Sequence, residues 1–302
     1  MNRSRRHFLQ KSSLLLAGTL ALPQLLKATP KTKQLVGVQL YSIREDMKKD
    51  PLATLKQLAE FGYKYVEHAN YVDRKFYGYS ATEFKKVLAD LGMKMPSGHT
   101  VMNDKHWDES KKDFTDLWKY TVEDAAIVGQ EFVISPWMDA KVRSDKASLD
   151  RLLEVFNKSG ELCKKSGMRF GYHNHDFEFS EMIEGGTLYD YILKNTDPNL
   201  VIQQLDTGNL YNGGAKAMDV VKKYPGRFVS LHVKDEILSE GSNEKYESTI
   251  LGKGIVNLKE VVDAAKQIGG SKHFIIEQEA YQGKTPLESV KEDLEVMKKW
   301  GY

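Results

Sequence analysis

The sequence predicts a single-domain (β/α)8 TIM barrel over residues 34–302 of the 302-residue chain. Short runs rich in Val, Ile, Phe and Tyr alternate eight times with longer segments of helical period. The runs start about 30 residues apart, which is the length of one βα unit, and eight such units close one barrel. A doubly wound open sheet is the alternative. However, no Gly-x-Gly-x-x-Gly sequence follows the first predicted strand, as it does in dinucleotide-binding sheets.

The predicted elements follow one another in a regular order along the chain. Strands are expected at residues 35–41, 63–67, 94–98, 132–135, 169–173, 201–205, 228–232 and 273–277. Helices are expected at residues 53–60, 81–91, 114–128, 149–165, 215–223, 258–268 and 286–299. Glycine often follows a helix, as at Gly62 and Gly129, because the left-handed residue that ends a helix is least strained without a Cβ.

The composition is that of an ordinary packed globular protein, with 41% hydrophobic and 28% charged residues, which excludes a disordered or collagen-like chain. The single cysteine, Cys163, excludes an intramolecular disulfide and a multi-cysteine zinc site. Outside residues 1–30 the chain has 39 basic and 42 acidic residues. Because this part has no basic excess with which to neutralise a phosphate backbone, nucleic acid is not an expected partner.

Residues 1–30 differ from the rest of the chain and resemble a twin-arginine (Tat) export signal. They carry five basic residues, including Arg5 and Arg6, and no acidic ones. The apolar run from Leu14 to Leu26 that follows is too short to span a bilayer comfortably. An amphipathic N-terminal helix is the alternative. The sequence therefore predicts export to the periplasm and no stable membrane insertion of the mature chain.

Polar side chains gather where the predicted strands end, at the face of a TIM barrel that holds the active site. These strand-end positions are occupied by Glu67, His99, Trp137, His173, His175, Asp206, His232, Lys234, Glu277 and Glu279. Residues i and i+2 of a strand point to the same side, so His173 and His175 are expected to face one pocket. Imidazole and carboxylate groups are ligands of divalent Zn, Mn, Fe or Co. The pattern predicts one divalent-metal site, although each residue alone could have a purely structural role.

These strand ends resemble those of the sugar phosphate isomerase/epimerase family, also called the xylose-isomerase-like TIM barrels. The resemblance rests on Glu67, His173-Asn174-His175, Asp206-Thr207-Gly208-Asn209, His232-Val233-Lys234-Asp235 and Ile276-Glu277-Gln278-Glu279. Taken in order, these short motifs extend over almost the whole chain, from about Leu35 to Trp300. The resemblance implies a metal-dependent enzyme whose substrate is a small carbohydrate.

The resemblance also implies a single divalent ion, usually Mn or Zn, held by a Glu, an Asp, a His and a Glu from strands five to eight. Asp206, His232 and Glu277 match the last three of these ligands. The first ligand does not match, because this chain has His173 where many members have Glu. Three possibilities remain open: His173 is the ligand, Glu178 loops back to take its place, or the metal has only three protein ligands.

The departure at His173 bears on the chemistry, because epimerases of the family use the glutamates of strands five and eight as a pair of bases. A divalent ion would still polarise a carbonyl and support an enediolate. His175 and Glu279 are both candidates for the base, and Lys234 is expected to orient an anionic or hydroxyl group of the substrate. Substrate contacts are expected from Glu67, His99, Trp137 and Glu178.

Three functions are compatible with these residues. The leading prediction is a metal-dependent isomerase or epimerase that acts on a carbohydrate or keto-sugar through an enediolate. The alternative is a lyase or hydratase that acts on a 3-keto-glycoside or a related keto-sugar by the same enolisation. A noncatalytic sugar-binding barrel is disfavoured, because it needs neither a metal nor a base. The sequence leaves the identity of the sugar and the oligomeric state open.

We predict that the mature chain starts near residue 30 and is exported. Replacing Arg5 and Arg6 together by Lys should block export, because a twin-arginine signal is recognised by its arginine pair. Mass spectrometry of the protein from periplasmic and cytosolic fractions gives its N-terminus and location. Native protein that stays in the cytosol with Met1 or Asn2 retained would contradict the prediction.

Overall fold

The strands of the chain close into a barrel. The computed structural model describes residues 34–241 and 244–302. Eight parallel strands form the closed sheet. They are β1 (Leu35–Gln39), β2 (Tyr65–His68), β3 (Lys94–His99), β4 (Phe132–Ser135), β5 (Arg169–His173), β6 (Val201–Asp206), β7 (Phe228–Val233) and β8 (His273–Ile276). The predicted (β/α)8 fold is confirmed. Residues 1–30, where the export signal is predicted, lie outside the described residues.

A helix follows each strand along the chain. These helices are α1 (Pro51–Phe61), α2 (Ala81–Asp90), α3 (Asp116–Val128), α4 (Lys146–Lys165), α5 (Leu188–Asn195), α6 (Ala217–Lys223), α7 (Leu258–Ala264) and α8 (Pro286–Trp300). A π-helical turn at Ala265–Gly269 extends α7. The sequence pattern does not predict α5, because its eight residues are too few for a clear helical period.

Local side-chain bonds fix where the helices begin and end. A capping box starts α2, in which the Ser80 side chain accepts from the backbone of Glu83 and the Glu83 carboxylate accepts from the backbone of Ser80. At the end of α1, Gly62 adopts a φ of 103°, a conformation that glycine reaches without strain. The predicted helix-ending role of Gly62 is therefore confirmed, because this residue adopts the left-handed conformation.

The order and register of the strands place the strand-end residues side by side. The ring order is β1-β8-β7-β6-β5-β4-β3-β2, so the first and last strands pair. The register sets Asp206 of β6 beside His232 of β7, and His173 of β5 beside Gln204 of β6. Because all eight strands are parallel, their carboxyl ends lie at one end of the barrel.

The loops at this end carry small elements of their own. The sequence pattern predicts irregular connections at residues 70–79, 103–109 and 236–254. Short antiparallel strands instead occur at Tyr71–Val72, Lys75–Phe76, Tyr79–Ser80, Trp107–Asp108, Asp113–Phe114, Met182–Ile183, Gly186–Thr187, Asp235–Leu238 and Tyr246–Thr249. Short helices occur at Leu40–Ile43, Arg44–Lys49, Asp104–His106, Ala140–Arg143, Phe177–Ser180 and Asn209–Tyr211. These elements form walls around the strand ends.

Apolar side chains pack between the helices and the barrel. For example, the ring of Phe170 on β5 contacts Trp118 of α3 and Phe156 of α4 at centroid distances of 6.0 and 5.0 Å. Polar side chains such as Glu67 and His232 are also fully buried. Because charged groups are seldom buried unless they are paired, these residues mark the candidate site. No helix within the described ranges is long and apolar enough to cross a membrane.

Candidate active site

Asp206 is the last residue of β6, and only one of its two carboxylate oxygens accepts hydrogen bonds from the described residues. Its Oδ1 accepts from the backbone N–H groups of Gly208 and Asn209, both at 2.8 Å. Its Oδ2 is buried and has no hydrogen-bond partner among the described residues. This oxygen lies 3.8 Å from Nζ of Lys234, 3.9 Å from Nδ1 of His232 and 4.0 Å from Nε2 of His173. A buried carboxylate oxygen without a partner is costly, so its position fits a cation ligand.

The four predicted metal ligands lie together at the carboxyl ends of β5 to β8. One ligand atom from each of His173, Asp206, His232 and Glu277 lies within 4.8 Å of the others, and all four residues are buried. Oε2 of Glu277 is 3.0 Å from Nδ1 of His232. Two imidazoles and two carboxylates suit zinc and other first-row divalent ions. The structure thus contains a possible His/Asp/Glu metal site, with His173 rather than Glu178 as its fourth member.

A second layer of side chains orients the two imidazoles. Oε1 of Glu67 lies 2.6 Å from Nε2 of His232, and Oε1 of Gln204 lies 3.1 Å from Nδ1 of His173. Each contact occupies one ring nitrogen and leaves the other facing Asp206. Carboxylates and amides commonly fix metal-binding histidines in this way. The supporting contacts therefore match those expected around a metal.

Glu67 lies at the end of β2, as predicted, but it is fully buried and is not among the residues that line the pocket. The carboxylate accepts hydrogen bonds from Gln39 at 2.8 Å and Gln204 at 2.9 Å, and from Ser97. These partners are all buried in the barrel, so they hold the Glu67 carboxylate beneath the four candidate metal ligands. The position of Glu67 suits a role in orienting the imidazole of His232 through their hydrogen bond.

His99 lies between the buried layer and the pocket. Its Nε2 is 2.7 Å from Oε1 of Gln204 and 3.1 Å from Oε1 of Glu67. Its ring stacks on His232 at a centroid distance of 5.0 Å. His99 also lines the pocket, so the predicted substrate contact is compatible with its position.

A buried ammonium group partly balances the carboxylates. Nζ of Lys234 donates to Oδ1 of Asn209 at 2.8 Å, lies 3.5 Å from Oε2 of Glu277 and contacts Glu279. Burial alone would lower the pKa of Lys234, but Glu279, Asp206 and Glu277 raise it well above its ordinary value. Burial raises the pKa of Asp206 to about 7, and Lys234 opposes this rise. The site therefore holds a fixed positive charge beside its anionic oxygens.

A pocket of about 1000 Å³ lies over these residues and is lined by His173, Glu277, Glu279, His175 and Trp137 among others. Burial and the nearby Lys234 lower the pKa of His175 to about 3, which keeps its imidazole neutral. The ring of Trp137 meets that of His175 edge-on at 5.0 Å. The two candidate bases, His175 and Glu279, both line this pocket and follow different strands, β5 and β8.

Glu178, for which a substrate contact is predicted, is buried beside the pocket residue His175. Its side chain is fully buried, accepts a hydrogen bond from the backbone N–H of His175 at 2.8 Å and contacts the hydroxyl of Tyr172. Burial raises its pKa to about 8. Because the short helix Phe177–Ser180 folds back on β5, Glu178 supports the backbone of His175 and does not line the pocket.

Glu236 lines the pocket but is absent from the sequence-based candidates. It is buried, its Oε2 has no partner within the described part of the chain, and burial raises its pKa to about 8. A Cβ on Gly208 would lie 2.5 Å from Oε1 of Glu236 and 2.7 Å from Cγ of Lys234. Glycine at position 208 therefore gives both side chains room. The i+2 alternation that pairs His232 with Lys234 could have identified Glu236, since it is the next residue in that series.

The comparisons with known proteins agree with this architecture. A family model described as the xylose isomerase-like TIM barrel matches residues 55–300. The chain belongs to this family. The resemblance inferred from the strand ends is thereby confirmed.

Solved structures and a curated relative extend the comparison. A sugar phosphate isomerase/epimerase from Parabacteroides distasonis ATCC 8503 has a TM-score of 0.74 and 26% identity, covering 89% of this chain and 95% of that one. The IOLI protein, solved with a zinc atom, has a TM-score of 0.68 and 14% identity, covering 88% and 97%. The latter similarity shows the fold alone. An inosose dehydratase of Geobacillus thermodenitrificans (strain NG80-2) is 27% identical over 157 residues, 48% of this chain. The chain spans about half of that relative, 52% of its length.

We predict that Asp206→Asn weakens the binding of Zn²⁺ and Mn²⁺ by at least about tenfold. The amide oxygen can still accept the two backbone hydrogen bonds that hold Oδ1, so the fold should be retained, but the anionic Oδ2 is lost. Equilibrium dialysis with elemental analysis measures the affinity. Asp219→Asn removes the same charge from an exposed position on α6 and should leave the affinity unchanged. Equal metal affinity in the wild type and Asp206→Asn would place the metal elsewhere.

Proposed function

We propose that this protein is a divalent-metal-dependent enzyme that removes a proton next to the carbonyl of a keto-sugar or a related cyclic polyol ketone. The observation that carries the proposal is the buried Oδ2 of Asp206, which accepts no hydrogen bond from the described residues and faces one nitrogen each of His173 and His232, with the Lys234 ammonium at 3.8 Å. Two of the four candidate ligands, His173 and Glu277, line the pocket, together with the ammonium group of Lys234 and the carboxylate of Glu279. Asp206 and His232 lie buried beneath them, so the candidate metal site borders the cavity that holds the proton-transfer groups.

His173, Asp206, His232 and Glu277 would hold the ion. Their nitrogen and oxygen donors suit zinc or manganese, and the zinc-bound IOLI structure is compatible with this choice. When bound, a divalent ion polarises a carbonyl oxygen and offsets the negative charge that develops during proton removal. Because Glu67 and Gln204 already fix the two imidazoles, little rearrangement of the protein is needed for binding.

Lys234, Glu279 and His175 supply the remaining chemistry. The buried ammonium of Lys234 contacts Asn209, Glu277 and Glu279, and by exchanging one of these contacts it can donate a hydrogen bond to a substrate oxygen that becomes negative. Glu279 is exposed to the pocket beside it and can accept a carbon-bound proton. His175 lies after β5 with its Nδ1 free of partners among the described residues, and it is the second candidate for the base.

The enediolate formed by proton removal has two possible fates. Return of a proton to the neighbouring carbon gives an isomer, and return to the same carbon from the opposite face gives an epimer, in line with the named activity of the Parabacteroides protein. Loss of a neighbouring oxygen substituent gives an elimination product, and the curated inosose dehydratase relative favours this fate. Elimination also needs only one base, and Glu178 is buried away from the pocket, so it does not provide a second carboxylate after β5.

We predict that the metal-loaded protein incorporates deuterium from D₂O at the carbon next to the carbonyl of its substrate. A panel of inososes, ketoses and 3-keto-sugars followed by NMR detects both the exchange and the product, which separates an isomerase from a lyase. Loss of the true base, by Glu279→Gln or His175→Ala, should slow the exchange by about 100-fold or more.

The variants of this experiment need controls for metal content and folding. Glu295→Gln changes an exposed carboxylate on α8 and should exchange like the wild type. Turnover with full retention of a deuterium label placed at that carbon would contradict enolisation. Unchanged exchange in both Glu279→Gln and His175→Ala would exclude these residues as the base.

A further inference from the structure

Exposed apolar side chains are concentrated in the pocket that borders the candidate metal site, to which His173 and Glu277 belong. Of the eleven large apolar side chains exposed in the described residues, six line this pocket. They are Tyr41, Val72, Val101, Leu117, Tyr120 and Trp137. Isolated exposed apolar residues are normal on a protein surface, but a group of them in one cavity is typical of a binding site.

One wall of this apolar region is held in place by a network of charged groups. The Arg74 guanidinium donates to the Asp124 carboxylate through Nε at 3.0 Å and Nη2 at 2.8 Å. The hydroxyl of Tyr71 donates to the same carboxylate at 2.6 Å. Arg74 also lies over the ring of Tyr120, 4.1 Å from its centroid. The small sheet that carries Val72 is thereby fastened to α3, so this wall is formed before any ligand binds.

The apolar region is continuous with the candidate metal site. The ring of Trp137 meets His175 at 5.0 Å, and the ring of His175 meets the ligand candidate His173 at 5.2 Å. Trp137 is also packed edge-on against Phe177 at 5.2 Å. A molecule bound over the metal ligands could therefore extend along Trp137 into the apolar region.

The size of the pocket also exceeds what a single sugar ring needs. Its volume of about 1000 Å³ is at the upper end of the range of pockets that enclose drug-sized ligands. A six-carbon ring would contact the polar groups around Lys234 and Glu279 and leave the apolar part without an occupant. Contact between apolar side chains and sugar hydroxyls contributes little binding free energy. An apolar group attached to the sugar would gain binding free energy from these walls.

We propose that the substrate carries a flat apolar group, such as an aryl substituent on its sugar ring, which binds against Leu117, Tyr120 and Trp137. This inference rests on the proposed function, because it places the sugar ring over the metal ligands. The aryl group contributes binding free energy through stacking and burial, while the polar end of the pocket orients the reacting carbons. The apolar wall selects substituted sugars over free ones.

Calorimetry with matched pairs of ligands tests the inference. The probes are the phenyl and methyl β-glycosides of glucose, galactose and xylose, titrated into the metal-loaded protein. The phenyl member should bind about tenfold more tightly than the methyl member of at least one pair. Leu117→Ala should weaken the phenyl glycoside about fivefold and leave the methyl glycoside unchanged. Ile127→Ala removes an equally apolar exposed side chain from the same helix, outside the pocket, and should change neither affinity.

Several outcomes would overturn the inference. Equal affinities within every pair, or no binding of any phenyl glycoside, would contradict it. So would a dimer in light scattering that dissociates in Leu117→Asp, because the apolar wall would then belong to an interface between two copies of the chain. A phenyl preference without deuterium exchange on any keto-sugar would preserve this inference and refute the proposed function. Deuterium exchange without any preference for phenyl glycosides would support the proposed function and refute this inference.

Discussion

The hydrogen bond between Glu67 and His232 is the interaction on which the candidate site depends. It joins Oε1 of Glu67 on β2 to Nε2 of His232 on β7 at 2.6 Å, across the inside of the barrel. Burial alone would raise the pKa of Glu67, but His99 and His232 hold it well below its ordinary value. Gln39 and Gln204 also donate to the carboxylate, so its charge is paired and hydrogen-bonded, as a buried ion must be. The bond leaves Nδ1 of His232 facing Asp206.

The barrel and its loops make separate contributions to the site. The parallel strands place Asp206 beside His232 by register, and the backbone of the residues that follow β6, Gly208 and Asn209, orients the Asp206 carboxylate. The loops add the groups that would distinguish one substrate from another, including Trp137 and the small sheet fastened by Arg74 and Asp124. This division is typical of TIM barrels, in which a rigid scaffold presents variable loops at one face. It explains how relatives named as isomerases and dehydratases can share one fold.

The sequence predicts the strands and the ligand cluster well, because buried parallel strands are continuous apolar runs that end at the active-site face. It does not predict the burial of Glu67, whose partners Gln204 and His232 are 137 and 165 residues away. The position of Glu178 is set locally instead, since a four-residue helix that no sequence period indicates brings it against Tyr172, six residues away. The helix α5 has only about two turns, which is too short for its hydrophobic period to be recognised in the sequence. In contrast, Glu236 could have been identified from the sequence, because it continues the i+2 series of His232 and Lys234.

The most direct test of this account is the position of a divalent ion in a crystal of the protein soaked with Zn²⁺. Anomalous diffraction at the zinc edge locates the ion independently of the protein atoms. The account predicts one strong peak about 2.0 to 2.2 Å from Nε2 of His173, Oδ2 of Asp206, Nδ1 of His232 and a carboxylate oxygen of Glu277. A peak at another site, a peak that Asp206 does not contact, or no peak at full soaking concentration would contradict it.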